Sequence, residues 1–334
     1  MTIYYLIPDI FRNQFSVRVL LRSFRRGKAA AYLKSCMSDN KSAIGGIKVF
    51  YQHIICLREL GYDAHPLALG GFDGNLFFPE IKSINFGDVE VTETDIVVAT
   101  EFCPYDGLRF TKATKIMFAQ NWSPIIPRKH IEDKHRSYRE LGYDHVISCG
   151  DYITRFINGV HNEECYSIPN GIDEHVFFCG DNMREENRVL CLPRKNADDI
   201  ETIKKIVERQ VPNVNFILAD GLSEQAIALE YRKSDIFLAS GYPEGFGLPA
   251  VEAMHSGCVV TGFAGRGGRE FLIHERTALI AEDSDTIVAA EHLIRVLQDK
   301  VLKERLRRAG SDIVKIYTLE AMKKRIGDYY LSLN

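Results

Sequence analysis

"GYPEGFGLPAVEAMHSG", residues 241–257, sets Glu244 and Glu252 eight residues apart around a Phe-Gly-Leu-Pro run that is poor in side chains. The preceding "DIFLAS" (235–240) is a short apolar run and reads as a buried strand. "LPAVEAMHSG" reads as a helix, with Pro249 at its first position and Gly257 as its stop. A glycine-rich turn between strand and helix presents unclaimed backbone N–H groups and the positive end of a helix dipole, which together suit an anion. Gly245 and Gly247 allow a ligand to approach the main chain closely. Carboxylates beside such a site make sense as acceptors for hydroxyl groups. Glu244 would take one set and Glu252, one turn into the helix, another. A diphosphate between two hydroxyl-bearing rings is a nucleotide-sugar, with a hexose at one carboxylate and a ribose diol at the other. The competing reading is a surface loop whose glutamate merely favours the helix dipole.

Working outward, short apolar runs alternate with amphipathic stretches. Strand-like runs occur at 3–8, 63–69, 95–100, 115–120 and 145–150, and again at 188–193, 214–219, 235–240, 258–263 and 277–282. Helical patterns occupy 47–61, the segment ending at Gly159, 198–210, 223–233, 249–256 and 285–308. The strands fall into two groups separated near "SIPNGIDEHVFF" (167–178). The expected architecture is α/β: two Rossmann-like, doubly wound domains facing each other with a cleft between. Their bounds are 1–167 and 168–317, and a C-terminal helix over about 318–334 returns to the first domain. Ligands of such sheets bind beyond the carboxyl ends of the strands.

The totals narrow the function classes. The 334 residues suit two domains, and 46% apolar with 26% charged residues is ordinary for a globular protein. A net charge of -3 argues against a nucleic-acid partner. Eight scattered cysteines without a CxxC pair imply reduced thiols and a cytoplasmic setting. His130 and His135 lie in a charged stretch and read as surface residues rather than metal ligands. No apolar run reaches membrane-spanning length, and the N-terminus lacks the features of a signal peptide. No GxGxxG follows the first strand, which disfavours an NAD-dependent enzyme.

"PEGFGLPAVEAMHSGCVV" resembles the E-x7-E signature of the retaining GT-B glycosyltransferases of family 4, the group 1 glycosyl transferases. Further segments resemble the same family in the same order: "IGGIKVFYQHIICLRELGYDAHPL" (44–67), "YSIPNGID" (166–173), "SEQAIALEYRKSDIFLASGYPEGFG" (223–247) and "GRGGREFL" (265–272). The likeness is good over 167–283, fair over 44–67 and weak elsewhere in the first domain.

The resemblance implies a retaining hexosyltransferase that uses a nucleoside-diphosphate sugar as donor. Its acceptor would be a glycan or a lipid-linked molecule, in cell-surface polysaccharide or glycoconjugate synthesis. It places Glu244 on the donor sugar and Glu252 on the ribose. The backbone of Gly245, Phe246, Gly247 and Leu248 would line the sugar and diphosphate. The family has an Arg and a Lys after the first strand of its second domain, and "LCLPRKNADD" supplies Arg194 and Lys195 there. In the family the lysine stands several residues after the arginine and precedes a glycine, so which of the two meets the phosphate stays open. The resemblance further implies donor contacts from Gly45 and Gly46, and from Gly267, Gly268 and Arg269. In this chain about 35 residues separate the first strand from Gly45, more than the family usually has. Gln120 and Asn121 follow a strand and are assigned to the acceptor side. Glu270 reads as a cap for the helix after it.

No DxD motif sits where a metal would be needed. "EDSD" (282–285) reads as a helix start capped by Asp285. Metal and cofactor independence are therefore expected, with cations and a helix dipole stabilising the leaving diphosphate. The basic segment 18–34, with Arg18, Arg22, Arg25 and Arg26 among apolar residues, suits an anionic membrane surface and a peripheral location on its inner face. A GT-B-like sugar-nucleotide epimerase and a non-catalytic nucleotide-sugar-binding protein are the alternative readings.

Overall fold

The computed structural model describes residues 1–8, 20, 45–70, 75, 77–121, 137–180 and 183–333. The chain forms two compact units, Met1–Met117 with Arg139–His145, and Phe118–Tyr138 with Val146–Asn334.

The short apolar runs are parallel strands. β1 (Thr2–Ile7), β2 (Asp63–Ala68), β3 (Ile84–Asn85), β4 (Ile96–Thr100), β5 (Thr114–Ala119), β6 (His145–Ser148) and β7 (Tyr166–Ser167) form one sheet in the order β3-β2-β1-β4-β5-β6-β7. β1 pairs with β2 from Thr2 opposite Asp63 through Ile7 opposite Ala68. Both faces are covered, so β1 and β4 are buried almost end to end and could not alternate with polar residues. α1 (Gly45–Glu59) supplies the cover next to β2, and its Val49, Phe50, Ile54 and Leu57 are buried. The two-residue strands β3 and β7 are too short to leave a period in the sequence.

The second sheet holds β8 (Glu185–Cys191), β9 (Asn215–Leu218), β10 (Ser234–Ala239), β11 (Val259–Phe263) and β12 (Leu279–Ala281) in the order β12-β11-β10-β8-β9. Val189, Ile236, Leu238, Val259 and Phe263 of its strands pack with Ile200, Ile203 and Val207 of a following helix, Ala197–Glu208. The chain leaves β8 toward β9 and then returns to β10 on the other side. The loops after β8 and β10 are thereby neighbours at a topological switch point, where open sheets bind ligands.

The remaining principal helices are Asp151–His161, Glu224–Lys233, Leu248–His255, Thr286–Gln298, Lys300–Val314 and Leu319–Ser332. Three sequence expectations need correction. The helical pattern over 285–308 is two helices, because Asp299 turns the chain and caps the second through Leu302 N at 2.9 Å. The helix expected to stop at Gly159 runs to His161 and ends on left-handed Asn162. Pro249 occupies the second helical position, behind Leu248. Asp285 does cap the helix after it, through Val288 N at 3.1 Å. The C-terminal helix sets Tyr329 5.1 Å, centroid to centroid, from Tyr166 of β7.

β10 begins on a buried charge. The Asp235 carboxylate meets Lys303 Nζ at 2.7 Å, Arg307 Nη2 at 2.6 Å and Asn187 N at 3.2 Å. Asp235 and Lys303 are both nearly inaccessible. Burial works against the carboxylate's charge, but the two cations and the amide outweigh it and hold Asp235 below the ordinary carboxylate range. A depressed folded-state value stabilises the fold above the ordinary range, and that stabilisation is lost as pH falls through it. Asp235→Asn should therefore lower stability by about 3–5 kcal/mol at neutral pH, since it leaves the buried Lys303 ammonium without its carboxylate. Denaturant titration checks this, and the gap to wild type should narrow on acidification. A gap that is small at neutral pH contradicts the assignment.

Candidate functional site

The site grows from the loop after β10. Ser240–Gly247 leads into the helix Leu248–His255, with Gly247 as N-cap at φ 96°, a left-handed conformation that favours glycine. As a glycine, the N-cap has no side chain to bond the first amides of the helix. The Tyr242–Pro243 peptide bond is cis. A second loop, Ala264–Glu270, follows β11 and interlocks with the first. Glu244 N donates to Gly265 O at 2.9 Å, and Gly267 N donates to Glu244 O at 3.1 Å.

The glycines are what allow this approach. A Cβ on Gly267 would lie 2.0 Å from Gly245 O, and one on Gly245 would lie 1.8 Å from Gln120 O. Three backbones therefore meet at Gly245: its own, that of Gly267 and that of Gln120–Asn121.

Hydrogen bonding separates the two loops into different roles. In the second, Gly267 N, Gly268 N and Arg269 N donate to Glu244, Ala264 and Arg266 carbonyls respectively. These amides hold the loop together, and the Arg269 side chain is exposed and paired with Glu282 at 2.9 Å. In the first, the N–H groups of Gly245, Phe246, Gly247 and Leu248 have no acceptor among the described residues. The Phe246 ring is buried, 5.5 Å from both Phe271 and Tyr317. The side chain anchors the turn while its amide stays unclaimed.

Glu244 and Lys195 meet across the switch point. Lys195 Nζ donates to Glu244 Oε1 at 2.8 Å and to Pro243 O at 2.9 Å. Both side chains keep about a quarter to a third of their surface, 35% for Lys195 and 22% for Glu244. Lys195 thus lies beside the loop, and Arg194 is exposed at the strand end. Glu252 is buried in the first turns of its helix. Tyr231 lies next to it, fully buried. Burial first, then the Glu252 carboxylate, push that phenol well above its ordinary range.

Asn196, which sequence reasoning passed over, explains why Lys195 sits there. It stands at φ 52°, and its Nδ2 donates to both Ser240 O and Tyr242 O at 2.9 Å. Asparagine is among the few residues that adopt a left-handed conformation readily. Tyr242 Oη adds a bond to Asp199 at 2.6 Å, and Asp283 accepts Gly265 N at 3.1 Å. Glu270 does not cap the helix after it. Its carboxylate accepts Tyr152 N at 2.7 Å, in the first turn of Asp151–His161.

Gly45 and Gly46 open α1 in the first unit. His130, His135 and the basic segment 18–34, Leu20 apart, lie outside the described residues. Among the described residues no group of three His, Cys, Asp or Glu is placed to hold a metal ion, and no helix is long and apolar enough to cross a membrane.

Asn196→Ala removes two hydrogen bonds and adds a left-handed strain of roughly 1–2 kcal/mol. It should lower the melting temperature clearly more than Asn196→Gly, which loses the bonds but keeps the backbone. Equal melting temperatures would show that the conformation at 196 is not constrained.

Residues 172–312 match the model of the family "Glycosyl transferases group 1". An α-1,6-glucosyltransferase of Actinobacillus pleuropneumoniae is 24% identical over 240 residues, 68% of this chain and 71% of that protein. Among solved structures, Anabaena HepE in complex with UDP-glucose superposes with a TM-score of 0.69 at 12% identity, over 99% of this chain and 100% of that one. A variant of S. aureus TarM, in complex with fondaparinux, α-GlcNAc-glycerol and UDP, gives 0.57 at 15% identity over 73% of this chain. The present chain spans 56% of the TarM chain. The fold is that of the GT-B glycosyltransferases, and the likeness to the group 1 glycosyl transferases lies in residues 172–312.

Proposed function

We propose that the protein is a retaining, metal-independent hexosyltransferase that takes a nucleoside-diphosphate sugar as donor and a glycan or lipid-linked molecule as acceptor. Cell-surface polysaccharide or glycoconjugate synthesis is the setting that fits this chemistry. One observation carries the reading: four consecutive amides, Gly245 to Leu248, without an acceptor among the described residues, beside the Lys195–Glu244 pair. Amides and a cation at a helix N-terminus suit a pyrophosphate. A carboxylate on each flank, Glu244 and Glu252, suits the hydroxyls of the hexose and the ribose. The UDP-glucose complex of the similarly folded HepE supports the same substrate class.

The reaction asks little of side chains. The bond between the anomeric carbon and the diphosphate oxygen breaks, and the bond from that carbon to the acceptor oxygen forms. The acceptor's proton passes to the departing phosphate. Negative charge grows on the diphosphate, and preorganised amides with Lys195, assisted by Arg194, stabilise it. Before donor arrives, Lys195 and Glu244 neutralise each other. Donor entry would exchange that pair for Lys195 on a phosphate oxygen and Glu244 on sugar hydroxyls.

A panel of labelled sugar nucleotides, pre-selected by thermal shift, tests this, because a ligand that binds only the folded form raises its melting temperature. Transfer, or slow donor hydrolysis, is the expected outcome, and EDTA should leave it intact. Glu244→Ala, Glu252→Ala and Lys195→Ala should each lower turnover on the order of 100-fold without unfolding the chain. Unchanged turnover in Glu244→Ala, or interconversion of the donor sugar in place of transfer, contradicts the proposal.

A further inference from the structure

The Ala264–Glu270 loop ends on a carboxylate that the donor reading leaves unused. Glu270 Oε1 accepts Tyr152 N at 2.7 Å, a contact across 118 positions of sequence. The helix it caps, Asp151–His161, has Gly150 as N-cap and no side-chain acceptor of its own. A Cβ on Gly150 would lie 2.7 Å from Glu270 Oε1 and 3.0 Å from Phe246 Cδ2. Gly150 therefore admits both the carboxylate and the ring of the unclaimed-amide turn against the helix start. Gly267, three residues before Glu270, is the residue whose amide holds Glu244 O.

We propose that Glu270 is a positioning residue, a clasp that fixes the 264–270 loop, and through it Glu244 and Phe246, to the start of the helix Asp151–His161. Its effect on donor rests on the function proposed above; the clasp itself does not.

The groups facing Glu270 are Asp151 and Arg155 from the helix and the Tyr317 phenol. Burial raises the Glu270 carboxyl to about 7, with Asp151 adding to the rise and Tyr152 N and Arg155 opposing it. A solvated glutamate releases its proton at about 4.3. Between these values the clasped state binds more protons than an opened one, so the clasp is tightest at low pH and loosens as pH rises through about 7. Glu270→Gln keeps the shape and the acceptor without the charge and should stay clasped throughout.

Amide hydrogen exchange on the full chain without ligand reads the clasp. In Glu270→Ala, protection should fall together at 151–156 and 264–271, by roughly five- to tenfold, the equivalent of one lost helix cap. After correction for intrinsic exchange, wild type should lose protection at both segments between about pH 5.5 and about pH 8.5, while Glu270→Gln keeps it. Unchanged protection in Glu270→Ala overturns the clasp, as does an identical pH response in wild type and Glu270→Gln. Should Glu270→Ala fail to fold, the comparison of wild type with Glu270→Gln decides.

UDP-glucose titration reads the positioning role. Its Kd should weaken roughly five- to tenfold in Glu270→Ala and be restored in Glu270→Gln. Segments that open while UDP-glucose affinity is unchanged overturn positioning. A wild type that binds no sugar nucleotide overturns the donor reading instead, and exchange still decides the clasp.

Discussion

The site depends on two loops approaching at main-chain distance. The Glu244 amide and carbonyl are both taken by the 264–270 loop, one by Gly265 and the other by Gly267. This can happen only where side chains are absent, because a Cβ at 245 or 267 would fall inside a neighbouring carbonyl. Everything that follows in the turn is a consequence. With Glu244 pinned, the next four amides are carried past the loop's own acceptors to the start of a helix and find no acceptor among the described residues. In the function proposed above, the side-chain-poor run between two glutamates offers its main chain as the binding surface, with a carboxylate at either end.

Charge is arranged with the same economy. The switch point between β8 and β10 makes neighbours of two loops 48 residues apart in sequence, and Lys195 bonds Pro243 O and Glu244 together. The pair is partly solvated, so the attraction is modest and can be exchanged for other partners. The Asp235–Lys303–Arg307 cluster at the opposite end of β10 is dry and serves the fold. Equivalent ion pairs thus do different work at the two ends of one strand, and exposure is what distinguishes them.

Much of this was legible in the sequence because apolar runs and glycine stops report directly on buried parallel strands and helix ends. β1, β2, β10 and the helix after β10 stand within a residue or two of where periodicity places them. The glycine turn was legible because main-chain geometry dictates residue type there. The break at Asp299 was hidden, since a side-chain cap between two helices leaves the apolar period nearly intact. The Lys195–Glu244 contact was hidden too, because it goes with the left-handed backbone of Asn196, which no periodicity encodes. Glu270 was misread for a related reason: local sequence suggests a cap for the nearest helix, whereas its partner lies 118 residues away.

The proposed function puts a pyrophosphate on the amides of Gly245 to Leu248. A crystal structure with the sugar nucleotide that most raises the melting temperature tests it most directly. Phosphate oxygens should lie within hydrogen-bond distance of those amides, with Lys195 moved from Glu244 onto a phosphate and the two sugar rings at Glu244 and Glu252. A pyrophosphate bound away from this turn, or one bound there with Lys195 still on Glu244, would contradict it.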